Sequence, residues 1–168
     1  MITMPSIFDF YQGGGLNQAF VGFAECNASG DVNVSQFGDR MPGCGGFIDI
    51  TQNAKKLYFC GTFSAGGLQT EIGNGTLKIL KEGRAKKFCD QIQQITFRAK
   101  NAIANGQPVL YITERAVFRL TQDGLVLCEA APGIDVEKDI LALMPFRPAV
   151  APDFHLMDAR IFGDEKRG

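Results

Sequence analysis

A sheet-rich α/β domain is the fold class that this 168-residue sequence predicts, and three observations predict it. Apolar and polar residues alternate at period two over much of the chain, glycine turns cut that alternation at short intervals, and convincing helical patterns are few. The composition agrees, with 45% hydrophobic and 21% charged residues, which is ordinary for a globular chain. Residues 1–168 are long enough for one domain with a sizeable core.

Ala19 to Glu25 and Val32 to Val34 flank an Asn27-Ala28-Ser29-Gly30-Asp31 turn and read as adjacent strands or strand extensions. Leu68 to Ile72 and Thr76 to Leu80 flank Gly73-Asn74-Gly75, and the Asn-Gly pair predicts a tight hairpin because both central positions of that turn favour positive φ. The basic stretch Arg84 to Cys89 is a weaker helical candidate, with Lys86 and Lys87 in solvent and Phe88 buried. Pro108 to Thr113 is a near-continuous apolar run, the pattern of a strand covered on both faces. Val117 to Leu120 and Leu125 to Leu127 form a second hairpin across Asp123-Gly124. The clearest helix starts at Asp135, a good N-cap, with Glu137 in the first turn and Val136, Ile140, Leu143 and Met144 along one apolar stripe that packs on the sheet. Pro145 stops it. Pro145, Pro148 and Pro152 mark an extended tail from about residue 145, whose apolar end, Leu156 to Phe162, is expected to dock on its own sheet or on a neighbouring subunit.

Charge and cysteine usage narrow the function classes. Lys+Arg 17 against Asp+Glu 18 leaves a formal charge of -1, so no basic excess exists to neutralise a phosphate backbone, and nucleic acid is not an expected partner. No apolar stretch approaches the roughly 18 to 20 residues of a bilayer span, and no basic-then-apolar leader is present, so a cytoplasmic protein is expected. Cys26, Cys44, Cys60, Cys89 and Cys128 are odd in number and contain no CxxC pair, and Cys60 and Cys128 lie in apolar runs. They read as reduced core thiols. No metal site is expected, since zinc needs close-spaced Cys or His pairs and the only histidine, His155, stands alone in the tail. A Cys44–His155 catalytic pair is the sharper alternative to a surface histidine.

Glycine clusters stand at Gly13-Gly14-Gly15, Gly43-Cys44-Gly45-Gly46 and Gly66-Gly67. Such clusters let backbone N–H groups converge on an anion or an oxyanion, and they equally serve tight turns and sheet crossings. No GxxxxGK[ST] and no GxGxxG between strand and helix is present, so none is a phosphate loop.

The ordered series Tyr11-Gln12-Gly13-Gly14-Gly15-Leu16, Gly30-Asp31-Val32-Asn33-Val34-Ser35, Pro42-Gly43-Cys44-Gly45-Gly46-Phe47-Ile48-Asp49 through Lys56, Phe59-Cys60-Gly61-Thr62-Phe63, Thr113-Glu114-Arg115-Ala116-Val117-Phe118 and Ala131-Pro132-Gly133-Ile134-Asp135 resembles the C-terminal region of a family I CoA-transferase of the short-chain acyl-CoA:acetate type. The likeness runs from about Phe8 to Phe162. It implies a three-layer α/β/α fold, incomplete relative to the full family domain, with coenzyme A as a substrate and no covalently bound cofactor. In the family a glutamate attacks the acyl-CoA thioester, giving an acyl-glutamyl anhydride and then a glutamyl-CoA thioester that an incoming carboxylate resolves. A carboxylate nucleophile divides one hard acyl transfer into easier steps, and each tetrahedral intermediate needs preorganised oxyanion donors. The resemblance places the donors at the backbone of Gly45 and Gly46, and CoA contacts at Gly43, Asn53 and Lys55.

The nucleophilic glutamate of the family precedes the Gly-Gly-Gly segment, and Met1 to Asp9 contains no glutamate. The resemblance therefore implies a part of an acyl-transfer site that needs an N-terminal CoA-transferase half for its nucleophile, inactive alone and expected to form a homo-oligomer. Glu114 is the tempting substitute because it follows a buried strand directly, but the resemblance gives it no such role, and an ion pair with Arg115 or a backbone hydrogen bond is expected. Lys55 and Lys56 serve either CoA phosphates or a solvated strand entrance. A noncatalytic acyl-CoA-binding or assembly module is the competing reading. A sugar-phosphate isomerase-like activity on a similar fold is disfavoured, since no acid–base pair presents itself.

Overall fold

The computed structural model describes residues 2–163. In chain order they form helix α1 (Met4–Gln12), strands β1 (Ala19–Gly22), β2 (Glu25–Cys26) and β3 (Val32–Asn33), helix α2 (Phe47–Gln52), and strands β4 (Leu57–Cys60), β5 (Ser64–Ala65), β6 (Gln69–Gly73), β7 (Thr76–Lys81) and β8 (Ala85–Lys86). Helix α3 (Ala99–Ala104), strands β9 (Val109–Ile112), β10 (Ala116–Thr121) and β11 (Gly124–Ala130), helix α4 (Val136–Asp139), a 3₁₀ turn at Leu141–Leu143, strand β12 (Ala149–Leu156) and a 3₁₀ turn at Ala159–Phe162 follow.

Six strands build the central sheet in the order β1-β4-β9-β10-β11-β12. Strands β1, β4 and β9 run parallel, β9, β10 and β11 antiparallel, and β12 parallel to β11. The registers Leu57↔Val109 and Phe59↔Tyr111↔Phe118↔Leu127 put these side chains on one face, where all are buried. That face carries the core. Phe47 of α2 stacks on Phe59 with ring centroids 5.9 Å apart, Phe97 approaches Phe59 at 5.0 Å, and Phe88 approaches Phe118 at 5.1 Å. Each such aromatic contributes about 1.5–3 kcal/mol of transfer free energy when fully buried. The registers place Phe20, Tyr58, Leu110, Ile112, Val117 and Arg119 on the other face. There the β6–β7 hairpin, Met157 and the last 3₁₀ turn cover only part of the sheet, and Leu110 and Ile112 remain half-buried. The α/β class holds, whereas the expected two-sided covering of the Pro108–Thr113 strand does not: among the described residues its second face is only partly shielded.

Both hairpins form as the turn chemistry dictates. Asn74 and Gly75 hold φ of 53° and 75°, the paired positive values of a hairpin turn, and β6 pairs with β7 through Gly73↔Thr76. At the β10–β11 turn Gly124 has φ 105°, and a Cβ there would lie 2.5 Å from the Ala28 carbonyl oxygen. Strands β2 and β3 pair across the Asn27–Asp31 turn, whose Asp31 N–H donates to Asn27 Oδ1 at 3.0 Å.

Two helical expectations need correction. Arg84 to Cys89 is not a helix: β8 pairs with β5, and the chain then runs beside β2, with Cys26 N–H donating to the Lys87 carbonyl at 2.7 Å and Cys89 N–H to the Cys26 carbonyl at 2.9 Å. Long-range pairing wins over local propensity because it buries Phe88, and it carries Lys87 inward as well, so that Lys87 is buried rather than solvated. The Asp135 helix starts as expected, with Lys138 N–H donating to Asp135 Oδ1 at 2.9 Å. It lasts one turn, because Ile140 leaves helical geometry at φ -125° to seat itself and Leu141 in the core. The tail docks on its own sheet as β12, with Pro152 exposed on the outermost strand. Helices α1, α2 and α3 lie in segments without a strong helical pattern; α1 buries no residue at all.

Candidate functional site

The Gly43–Gly46 loop runs directly into α2. Gly43 and Gly45 hold φ of +82° and +52°, and nothing lies within 4 Å of the place a Cβ would take at either. Only glycine enters this conformation without strain. Phe47 N–H donates to the Cys44 carbonyl at 3.0 Å and Ile50 N–H to the Gly46 carbonyl at 3.1 Å, whereas the N–H groups of Gly45 and Gly46 meet no acceptor among the described residues. Two successive N–H groups without an acceptor are the kind of donor pair that an oxyanion takes. On the other side of Gly46 the space is closed, since a Cβ would lie 2.7 Å from the Phe8 ring.

Asn53 and Lys55 stand at the far end of α2, a helix of six residues and so roughly 9 Å long. The Asn53 amide donates to the Gln12 carbonyl at 2.7 Å and Lys55 Nζ to Asn17 Oδ1 at 2.9 Å. Gln12 also donates to Asp49. These bonds tie α2 to α1 and to the turn after it. The structure thus gathers Gly43, Gly45 and Gly46 in one loop and separates them from Asn53 and Lys55 by the length of the helix.

A second polar cluster lies just beyond the carboxyl ends of β4 and β9. Arg115 is wholly buried, although nothing in its neighbourhood marks it beyond a charge set between two apolar runs. Its Nε donates to Glu114 Oε1 at 2.7 Å, its terminal nitrogens donate to both oxygens of Glu82, and Nη1 also reaches the Asp139 carbonyl at 3.1 Å. The guanidinium lies 4.7 Å over the Phe63 ring. Glu114 Oε2 accepts from Phe63 N–H at 2.7 Å. Both Glu114 oxygens are engaged, so it takes the ion-pair and backbone-capping role expected of it and is not poised as a nucleophile. Burial pushes the Glu82 carboxyl up, but hydrogen bonds from Arg115 and Ser64 and the Arg115 charge outweigh this and hold it below the usual carboxylate value.

Beside this cluster Lys87 Nζ sits 4.0 Å over the Phe23 ring. Burial lowers its affinity for the proton, and the Glu114 charge partly offsets that. The cation–π contact is worth about 0.5–2 kcal/mol, less than the several kcal/mol that removing an ammonium from water costs.

His155 does not join Cys44. It stands exposed on β12, with Nδ1 3.0 Å from the Asp153 carbonyl and Nε2 3.8 Å from Glu129, which is the surface-histidine alternative. All five cysteines are free, Cys26 and Cys128 buried and the other three half-buried. Among the described residues no three His, Cys, Asp or Glu side chains group as a metal site requires, and no helix is long and apolar enough to cross a membrane.

No family model matches the chain. It is 51% identical over 168 residues to the acetate CoA-transferase YdiF of Escherichia coli, covering 100% of this chain and 32% of that protein. It is 46% identical over 172 residues to the caffeate CoA-transferase of Acetobacterium woodii, covering 99% of this chain and 33% of that one. The crystal structure of the acyl-CoA transferase YdiF apoenzyme from Escherichia coli O157:H7 superposes with a TM-score of 0.96, over 98% of this chain and 32% of that chain. A YdiF thioester complex with CoA superposes with a TM-score of 0.95. The chain spans about a third of the length of these relatives.

Proposed function

The chain belongs to the CoA-transferases, as a stretch of about a third of their length, and from that premise we propose that it forms the oxyanion-binding side of an acyl-transfer site that moves CoA between a short-chain acyl-CoA and a carboxylate. The observation that carries the reading is the Gly43–Gly46 loop, which offers the N–H groups of Gly45 and Gly46 without an acceptor among the described residues. A carboxylate adds to the thioester carbonyl, the carbonyl oxygen becomes an oxyanion that these N–H groups receive, and collapse expels the CoA thiolate to leave an anhydride. The thiolate then attacks the enzyme-side carbonyl of that anhydride, releasing the product carboxylate and leaving an enzyme thioester. A second carboxylate reverses the sequence.

The attacking carboxylate comes from outside residues 1–168, in the N-terminal half of a CoA-transferase. Glu114 is unsuited to the task, with both oxygens bonded. We assign CoA contacts to Gly43, Asn53 and Lys55, the last by exchanging its Asn17 bond for a phosphate oxygen. CoA enters as substrate, with no covalent cofactor. The working assembly is oligomeric, and the free cysteines suit a reducing, cytoplasmic compartment.

Exchange between acetate and acetyl-, propionyl- and butyryl-CoA tests this. The chain alone is expected to be silent, and mixing it with a family N-terminal fragment that carries the glutamate is expected to restore exchange. Gly46→Val, with its folding checked by circular dichroism, should lower the restored rate by about a hundredfold or more, because its Cβ would lie 2.7 Å from the Phe8 ring and force the loop, with its N–H donors, out of place. Exchange by the chain alone, or none by any mixture of folded pieces, overturns the reading. CoA binding by the chain with no exchange in any mixture would favour the noncatalytic binding module.

A further inference from the structure

The Lys87 side chain is largely buried, and its ammonium keeps some contact with solvent and has no anion on it. The residue is 7% exposed, its Nζ rests on the Phe23 ring, and no hydrogen-bond acceptor or ion-pair partner reaches it among the described residues. Glu114 is the carboxylate whose charge acts on it, yet both Glu114 oxygens are already committed at 2.7 Å, to Arg115 Nε and to Phe63 N–H. An ammonium largely enclosed by apolar neighbours, with no anion beside it and a remaining opening to solvent, is placed to take its counter-charge from a ligand.

Its position says which partner. A Cβ built on Gly61 would lie 2.4 Å from Lys87 Nζ, so the ammonium occupies the room that a bare glycine leaves directly after β4. Strands β1, β4 and β9 are parallel and end on this edge, and the crevice beyond the carboxyl ends of such strands is where open α/β sheets receive ligands. The Gly43–Gly46 loop reaches the same aromatic cluster. Phe47, next to Gly46, stacks on Phe59 at 5.9 Å, and Phe59 meets Phe23, under the ammonium, at 6.4 Å.

We propose that Lys87 binds a carboxylate of the transfer reaction, its ammonium receiving that group at the carboxyl end of β4. The inference rests on the acyl-transfer reading above. The carboxylate is either the free acid substrate or a carboxylate side chain of the N-terminal half, and the experiment separates the two.

The test is lysine-selective ¹³C NMR on the full 168-residue chain, with the Lys87 signal assigned by its loss in Lys87→Met. Acetate is titrated against chloride at matched ionic strength. A saturable millimolar shift at Lys87, absent at exposed Lys86 and absent with chloride, identifies a substrate site. A shift only on mixing with the N-terminal fragment, lost when the fragment's glutamate is replaced by glutamine, identifies a protein carboxylate. Gly61→Ala keeps the charge but puts a methyl where Nζ stands, and should weaken either response about tenfold or more. No Lys87-specific response in either arm, or a drift shared equally by Lys86, overturns the proposal. Thioester exchange is read separately, so loss of exchange with the Lys87 response intact condemns the acyl-transfer reading alone. In the exchanging mixture Lys87→Gln should raise KM for acetate about tenfold or more while kcat stays within about threefold, and an unchanged KM excludes the substrate as partner.

Discussion

Arg115→Met should destabilise the chain by about 3 kcal/mol, because the substitution removes the one cation that three segments share. The guanidinium side chain is fully buried and donates to Glu82, Glu114 and the Asp139 carbonyl, linking β7, β9 and α4 through their flanking residues. Removing one partner from a buried charge network costs about 3–5 kcal/mol, since the remaining charges are left unpaired. Here the side chains of Glu82 and Glu114 keep 38% and 19% of their exposure, and Glu114 retains the Phe63 N–H, so both can recover some hydration and the loss falls at the lower end. Methionine still fills the space over Phe63. A chain of this size shifts its midpoint by about 2–4 °C per kcal/mol, so Tm should fall by about 6–12 °C. Urea and thermal unfolding followed by circular dichroism measure it. Adding Glu82→Gln to Arg115→Met should return about 1 kcal/mol by removing the facing charge. An Arg115→Met variant within about 1 kcal/mol of the parent, with no coupling to Glu82, would refute the view that this network holds the strand ends together.

The remaining expectations bear on buried polar groups. Tyr111→Phe removes a buried hydroxyl that donates to the Gly30 carbonyl and should cost about 1–3 kcal/mol by denaturant titration, the carbonyl being left without its partner. Glu82 has a folded-state pKa below its unfolded value, so its contribution is present above the unfolded pKa and is lost as pH falls through the folded one; acid titration of stability should show a loss that Arg115→Met lacks. Lys87 has a folded-state pKa below its unfolded value, so the unfolded chain binds that proton more tightly. Stability should therefore rise with pH until the ordinary lysine value of about 10.4, and Lys87→Met should flatten that rise.

What could be read from the sequence follows the length scale of the signal. The Asn74-Gly75 hairpin and the Asp135 cap are decided within four or five residues, and both form where their turn chemistry puts them. The apolar run at Pro108–Thr113 announces a strand, but nothing in it says how much of its second face finds a cover. Arg84 to Cys89 went the other way: its local pattern is weakly helical, and a backbone pairing to Cys26, some sixty residues earlier in the chain, makes it extended. The same pairing explains why Lys87 reads as a solvated charge and ends buried. The left-handed backbone of Gly43 and Gly45 is legible, because positive φ is a property of short glycine runs. The Arg115–Glu82 pair is not, because Glu82 reaches Arg115 only after the β6–β7 hairpin has folded back.

The two faces of the sheet set the terms on which such a chain works. On one face Phe23, Phe47, Phe59, Phe88, Phe97 and Phe118 interlock in a dense aromatic layer, and the Gly43–Gly46 loop and Lys87 are anchored to that layer rather than to flexible surface. On the other, Phe20 is 63% exposed while stacked on Tyr58 at 4.4 Å, and a groove of about 460 Å³ runs past Leu110, Ile112 and Met157. Donors must be held rigidly to stabilise an oxyanion, and the packed face supplies that rigidity without help from the open one. An exposed apolar surface of this kind favours association, because covering it removes water from side chains already ordered by the sheet. A second protein surface seated there would leave the aromatic layer undisturbed and would approach the carboxyl ends of β4 and β9 from the side opposite the glycine loop. The nucleophile of the proposed reaction can then arrive from another segment while this one keeps its half of the site preformed.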